Sequence, residues 1–266
     1  MISSPPGQFD SVLADVKKLL PDGLLTAPML SGIAKAYNER NGSIVAVEGG
    51  ENIVVCKEGE IDPTKYVDTN TKKVVKVDHV QRTGRVDPAK PLPPNTFDSS
   101  LEDKRAAIQK AVNDYLKKHY SGGIACAGVY SKDKNIQIVV SGEKLNLKNY
   151  WSGSWVSRWT LAGSGELSGS AKIIAHYFEE GNVQLNTSKE FPSQNISGAT
   201  SEEFGRNVAA RIKECEEVLQ MGLLQMYGNM SDETLKSMRR VLPITRSKME
   251  WNAAAHKMTK QLQQPK

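Results

Sequence analysis

The chain has 266 residues, of which 39% are hydrophobic and 24% charged, and a formal net charge of +5, the mixture expected of a soluble globular protein with one large domain or two small ones. No window approaches the ~18 apolar residues of a membrane-spanning helix, and Met1-Ile2-Ser3-Ser4-Pro5-Pro6 lacks the charged and apolar regions of a signal peptide. Cys56, Cys126 and Cys215 are odd in number with no C-x-x-C, and His79, His119, His176 and His256 show no ligand spacing, so buried reduced thiols and structural or exposed histidines are expected rather than a metal site, a cofactor site or a disulfide framework.

Phe9, Val12, Leu13, Val16 and Leu20 form a helical stripe over residues 8–20, closed by Pro21-Asp22-Gly23. A second helix is predicted over 27–40, with Leu30, Ile33, Ala34 and Tyr37 on one face, Pro28 in its first turn and Asn41-Gly42 as its stop. Two short helices bury little surface alone, so a third should join them. From residue 43 the period changes. Ile44–Val47, Ile53–Cys56 and Lys73–Val77 are β-rich runs split by Gly49-Gly50 and Glu58-Gly59, and predict a small antiparallel sheet. Residues 82–98, with Pro88, Pro91, Pro93 and Pro94 and no apolar period, read as a loop.

Ser99 or Ser100 is the predicted cap of the next helix, with Glu102 and Asp103 at its positive end and Leu101, Ala107 or Ile108, Ala111, Val112 and Tyr115 as its stripe. It would be the third bundle helix or a support for the sheet that follows. Five runs then predict an antiparallel meander: Ile124–Tyr130, Ile136–Gly142, Ser154–Leu161, Ala171–Phe178 and Val183–Thr187. Trp155, Ser157, Trp159 and Leu161 share one face of the central strand. Tryptophans at this spacing fit a core far better than a stacking platform. Residues 200–228 predict the longest helix, with Phe204, Val208, Ile212, Cys215, Leu219 and Met226 on its inner face, laid across the meander.

The last thirty-one residues stand apart in charge. They hold eight basic residues, including Lys236, Arg239, Arg240, Arg246 and Lys248, against the single acid Glu250. The remainder of the chain is near neutral, so the positive excess sits in this tail. Trp251, Ala255, Met258 and Leu262, spaced by four, three and four, fall on one side of a helix. A basic stretch leading into an amphipathic terminal helix suits docking on an acidic surface bearing an apolar groove. A helix this short is marginal alone in water and needs a partner surface, which can equally be its own body. The fold class is α+β: N-terminal helices over 1–42, a small β region and Pro-rich loop over 43–98, a helix over 99–122, a sheet with its long helix over 123–230, and the basic tail over 231–266.

Three stretches carry a family likeness. They are Tyr150-Trp151-Ser152-Gly153-Ser154-Trp155-Val156-Ser157-Arg158-Trp159, His176-Tyr177-Phe178-Glu179-Glu180-Gly181-Asn182-Val183-Gln184-Leu185, and Arg239-Arg240-Val241-Leu242-Pro243-Ile244-Thr245-Arg246-Ser247-Lys248-Met249-Glu250-Trp251-Asn252. With Pro5-Pro6-Gly7-Gln8-Phe9 they resemble the alpha subunit of the heterodimeric F-actin capping protein, in the same order over nearly the whole chain. The resemblance implies a cytoplasmic, cytoskeletal, non-enzymatic protein that caps the barbed end of actin filaments. It implies a dimer with a merged sheet, formed with a capping protein beta subunit or a second alpha chain. It places actin contacts at Lys236, Arg240 and Arg246, with Arg239 and Lys248 beside them and Trp251, Ala255, Met258 and Leu262 adding apolar docking. Phosphoinositides would compete for the same basic residues.

The rival reading is a non-enzymatic scaffold whose basic tail binds anionic lipid or nucleic acid. Against nucleic acid stand the confinement of charge to the tail and the lack of any RRM, KH or zinc pattern. For an enzyme there is no coherent set of groups: Gly163-Ser164-Gly165-Glu166-Leu167-Ser168 only approaches a GxGxxG, and Ser141-Gly142-Glu143-Lys144 matches S-x-x-K without companions.

Overall fold

The computed structural model describes residues 1–120, 122–179 and 182–229. The chain divides into two units, Met1–Cys215 and Glu216–Lys266.

The first unit opens with α1 (Phe9–Leu19) and α2 (Ala27–Asn41). Pro28 stands in the first turn of α2 and Gly42 closes it in the left-handed region, at φ 56°, where a side chain would be strained. Phe9 and Leu13 pack on Ala34 and Tyr37, with Leu30, Ile33 and Val80 at the margin. Val80 comes from the β region, so a β element rather than a third helix completes this cluster.

The small sheet is larger than the three predicted runs. It has six strands: β1 (Ile44–Glu48), β2 (Ile53–Val54), β3 (Glu60–Asp62), β4 (Lys65–Asp68), β5 (Lys73–Asp78) and β6 (Thr83–Val86), in the order β2-β1-β6-β5-β4-β3. Nor is it wholly antiparallel, because β1 and β6 pair in parallel, with Val47 opposite Gly84. The expected loop over 82–98 therefore begins with a strand. Gly84 hid it. A Cβ at Gly84 would lie 3.0 Å from Val75 and 3.2 Å from Val47, so the glycine that weakens the strand signal is required by close packing at the middle of the sheet. Both faces bury apolar side chains, although Ala46 of β1 and Lys76 of β5 stay exposed. Val45, Val47, Ile53, Val55, Tyr66, Val75 and Val77 pack together on one. Ile44, Val54, Cys56 and Val67 meet Cys126, Tyr130, Val139 and Val156 on the other. This explains why β1 and β2 read as continuous apolar runs rather than alternating ones.

A 3-10 turn over Ser99–Leu101 leads into α3 (Glu102–His119). The turn is capped by Asp98, whose carboxylate accepts from Ser100 N at 2.9 Å, and not by Ser99 or Ser100. Helix α3 supports the second sheet instead of joining the helix pair. That sheet is the expected meander: β7 (Ile124–Lys132), β8 (Asn135–Asn146), β9 (Trp151–Leu161), β10 (Glu166–Tyr177) and β11 (Val183–Asn195), hydrogen-bonded in chain order. The strands run longer than their apolar runs because they extend into polar rims.

Trp159 is a core residue, as expected. It is 2% exposed, stacks on Phe191 with centroids 5.0 Å apart, and donates from Nε1 to Ser157 Oγ at 3.0 Å. Gly169 lies opposite it in the ladder, and a Cβ there would come within 2.3 Å of the indole. The glycine makes room for the ring.

Helix α4 (Ser201–Asn229) matches its prediction in extent. Phe204, Val208, Ile212 and Cys215 are buried, and at Gly205 the helix closes on Ala107 of α3, where a Cβ would stand 2.7 Å from the backbone. In the second unit the described residues are 216–229. There Met226 is exposed rather than on an inner face, as are Val218, Met221 and Leu224.

Candidate functional site

The residues assigned to actin contact by sequence, Lys236, Arg239, Arg240, Arg246, Lys248, Trp251, Ala255, Met258 and Leu262, all lie outside the described residues. The described residues show the platform that precedes them.

The two edges of the five-stranded sheet differ. Edge strand β7 is covered by α3 through side-chain bonds to its free backbone. Gln109 donates from Nε2 to Ala127 O at 3.1 Å and accepts from Val129 N at 3.0 Å. Arg105, 2% exposed, donates to Val129 O at 3.2 Å and Thr69 O at 3.3 Å and forms two 2.9 Å bonds with Glu102. The Arg105 bonds, and the Lys72 ammonium beside them, hold the Glu102 carboxyl down at about 2. Sequence reading missed both polar residues, because an apolar-period search passes over an arginine and a glutamine on a buried helix face. At the other edge, β11 bonds to β10, and all its side chains except Phe191 are exposed or half-exposed. Among the described residues nothing pairs with its outer backbone. A long unpaired edge is a ready template for another strand.

Segments that carry the family likeness converge. Tyr177 pairs with Trp151 across β10 and β9, and Phe178 N donates to Tyr150 O at 2.9 Å. Tyr150 sits in the left-handed region at φ 58°, an uncommon place for a bulky residue, with its ring edge-on to Phe178. His176 stacks on Phe178 and bridges two partners. Gln8 donates to Nδ1 at 2.6 Å, and Nε2 faces Asn182 Oδ1 at 2.9 Å. Gln8 immediately precedes α1, so the first helix is anchored to the end of β10. His79 is equally structural. It is 3% exposed, and Nε2 donates to Pro63 O at 3.0 Å. Its burial lowers its proton affinity.

The weak catalytic motifs dissolve. Ser141 is fully buried within β8, and the Lys144 ammonium lies 5.8 Å from the Trp151 ring centroid. Gly163-Ser164-Gly165 forms the turn between β9 and β10, with a strand after it rather than a phosphate-binding helix. Cys56 and Cys126 are buried, and burial pushes each thiol up to about 12. Among the described residues no three His, Cys, Asp or Glu side chains are gathered to hold a metal ion, and no helix is long and apolar enough to cross a membrane.

The sequence pattern of the F-actin capping protein alpha subunit family matches residues 1–261. The chain is 30% identical over 260 residues to the F-actin-capping protein subunit alpha of Caenorhabditis elegans, covering 94% of this chain and 90% of that protein. It is likewise 30% identical over 260 residues to the subunit alpha of Dictyostelium discoideum. Among solved structures, the homodimeric actin capping protein alpha subunit from Plasmodium berghei superposes with a TM-score of 0.72 at 25% identity, covering 90% of this chain and 92% of that one.

Proposed function

This chain belongs to the F-actin capping protein alpha subunit family, and from that premise we propose that its basic terminal stretch is the part that grips actin. The chain caps actin filaments as one half of a dimeric capping protein, blocking gain and loss of subunits at the barbed end. The family is cytoskeletal, structural and actin-binding, and we read this member as cytoplasmic and non-enzymatic. The observation that carries the reading is the reach of the family match, which runs unbroken into the tail, to residue 261.

In this reading Lys236, Arg240 and Arg246, flanked by Arg239 and Lys248, steer the protein onto acidic actin surface and pair with it. Exposed pairs are worth about 0–1 kcal/mol each, whereas desolvated interface pairs couple at roughly 1.5–7 kcal/mol. Trp251, Ala255, Met258 and Leu262 add apolar docking, at roughly 1.5–3 kcal/mol for each large side chain fully buried. Phosphoinositides compete for the same cations. The dimer partner is a beta subunit or a second alpha chain, and it joins at the open β11 edge so that two five-stranded sheets become one. The capped β7 edge and bare β11 edge support this choice, and the homodimeric Plasmodium berghei relative supports the second alpha chain.

The test is seeded elongation of fluorescent actin at barbed ends, with full-length chain and with a chain lacking residues 236–266. Loss of capping on truncation, with dimer formation retained, is expected. Full capping by the truncated chain overturns the tail assignment. Tail-dependent binding of DNA or RNA without any effect on elongation overturns the capping reading.

A further inference from the structure

We propose that Lys172, Arg158 and Arg40 form a receiving site for a carboxylate supplied by the second subunit of the dimer. The inference rests on the dimer reading above and adds to it a site on the sheet face.

Three elements bring these cations together. In the ladder between β9 and β10, Lys172 stands opposite Val156 and Ser170 opposite Arg158. Lys172 and Arg158 are therefore diagonal neighbours on one face, at backbone positions roughly 7–8 Å apart. Arg158 donates from Nη2 to Glu39 O at 2.9 Å. That bond fixes its guanidinium at the last turn of α2, where the next residue is the exposed Arg40.

The local balance of charge is uneven. Glu58 stands 3.7 Å from Arg158 Nε. Among the described residues, the side chains of Lys172 and Arg40 have neither an ion pair nor a hydrogen bond. Lys172 is half-buried, and its ammonium is held below the ordinary lysine range, first by burial and then by Arg40 and Arg158. A half-buried cation beside two others is unfavourable in the isolated subunit, and such perturbed groups gather where a ligand or partner is received.

Position identifies the occupant. Lys172 lies on β10, one strand in from β11, the edge left open for pairing. A subunit added at that edge brings its own side chains over the neighbouring sheet face. An aspartate or glutamate is the group that Lys172 and Arg40, set beside the Glu58-paired Arg158, select, because it offers two acceptor oxygens to guanidinium and ammonium donors. Its arrival offsets the repulsion that Lys172 carries alone.

The experiment uses the full chain as a dimer, with a beta subunit or as two alpha chains. Dissociation is followed by sedimentation on dilution at about 0.05 and 0.5 M salt, where screening lengths differ severalfold. The Lys172→Met change keeps the apolar stem and removes the charge. It is expected to weaken the dimer about tenfold or more at low salt and to flatten the salt dependence, without lowering the melting temperature of the separated subunit. Lys172→Arg is expected to keep a dimer close to wild type. A Lys172→Met dimer as tight as wild type at both salts overturns the inference while leaving the dimer reading intact. So does equal loss with Met and Arg accompanied by a lower subunit melting temperature, which is the signature of packing alone. Wild-type chain that stays monomeric with and without a beta subunit defeats the dimer reading and this inference with it.

Discussion

Arg82 donates from Nη2 to both carboxylate oxygens of Glu143, at 3.0 and 2.9 Å, and so ties the turn between β5 and β6 to β8. The turn is built for it. The Asp78 carboxylate accepts from Val80 N and Gln81 N, both at 2.9 Å, and Arg82 takes the left-handed conformation, φ 53°. Glu143 also accepts from Ile44 N at 3.3 Å. One carboxylate thus locks β1, the six-stranded sheet's turn and the five-stranded sheet together.

Removing one partner strands the other. Glu143→Ala leaves a half-buried guanidinium without its counter-ion, with only Ile44 O at 3.4 Å to accept from it, and a β1 amide without the carboxylate, and is expected to cost on the order of 3 kcal/mol. Replacing both, Arg82→Met with Glu143→Met, is expected to recover much of that loss. Urea unfolding midpoints of the wild type and of these two variants check this. A double variant no better than Glu143→Ala would mean that the pair is worth more than its desolvation cost.

Glu102 makes stability depend on pH at the acid end. Its folded carboxyl sits at about 2, held there chiefly by Arg105, below the ordinary unfolded value of about 4.3. The sign follows from linkage. The unfolded chain binds the proton first, so the stabilisation is complete above the unfolded value and is lost as pH falls through the folded one. Glu102→Gln is expected to be clearly destabilised at neutral pH, with the gap to wild type narrowing steadily below about pH 4. Melting curves across that range read it directly.

Gly169 tests how tightly the Trp159 pocket is filled. A methyl there would stand 2.3 Å from the indole, well inside van der Waals contact. Gly169→Ala is expected to cost about 1–3 kcal/mol through overpacking. Adding Trp159→Leu to it is expected to leave a smaller loss than the two single changes predict together, because the pair shares one space. Simple additivity in chemical denaturation would count against this account.

The tail assignment makes a kinetic forecast. Substituting alanine at Lys236, Arg240 and Arg246 is expected to slow capping more than it speeds release, because long-range attraction acts on encounter. Added salt should then slow the wild type more steeply than the variant. Equal salt slopes in a barbed-end elongation assay would exclude steering as the role of these residues.

Much of this protein was legible from local pattern. The period-3.6 stripes of α1, α2 and α4, the five runs of the meander and the core position of Trp159 follow from which residues must leave water together, and neighbours in sequence carry that information. The cationic tail was legible from composition, and the family resemblance from the order of residues in the Trp- and Gly-rich runs. Tertiary structure alone decided the rest. Strand β6 is held between its hairpin neighbour β5 and β1, some forty residues earlier, which pairs with it in parallel, and its Gly84 is dictated by valines from other strands. Arg105 and Gln109 look like surface residues of a helix until the free backbone of β7 is set beside them. Arg82 with Glu143, and Lys172 with Arg158 and Arg40, acquire meaning only when distant segments meet. The reason is physical: apolar burial is written residue by residue, whereas the cost of a buried polar group depends on the partner that reaches it, and only the folded chain determines that partner.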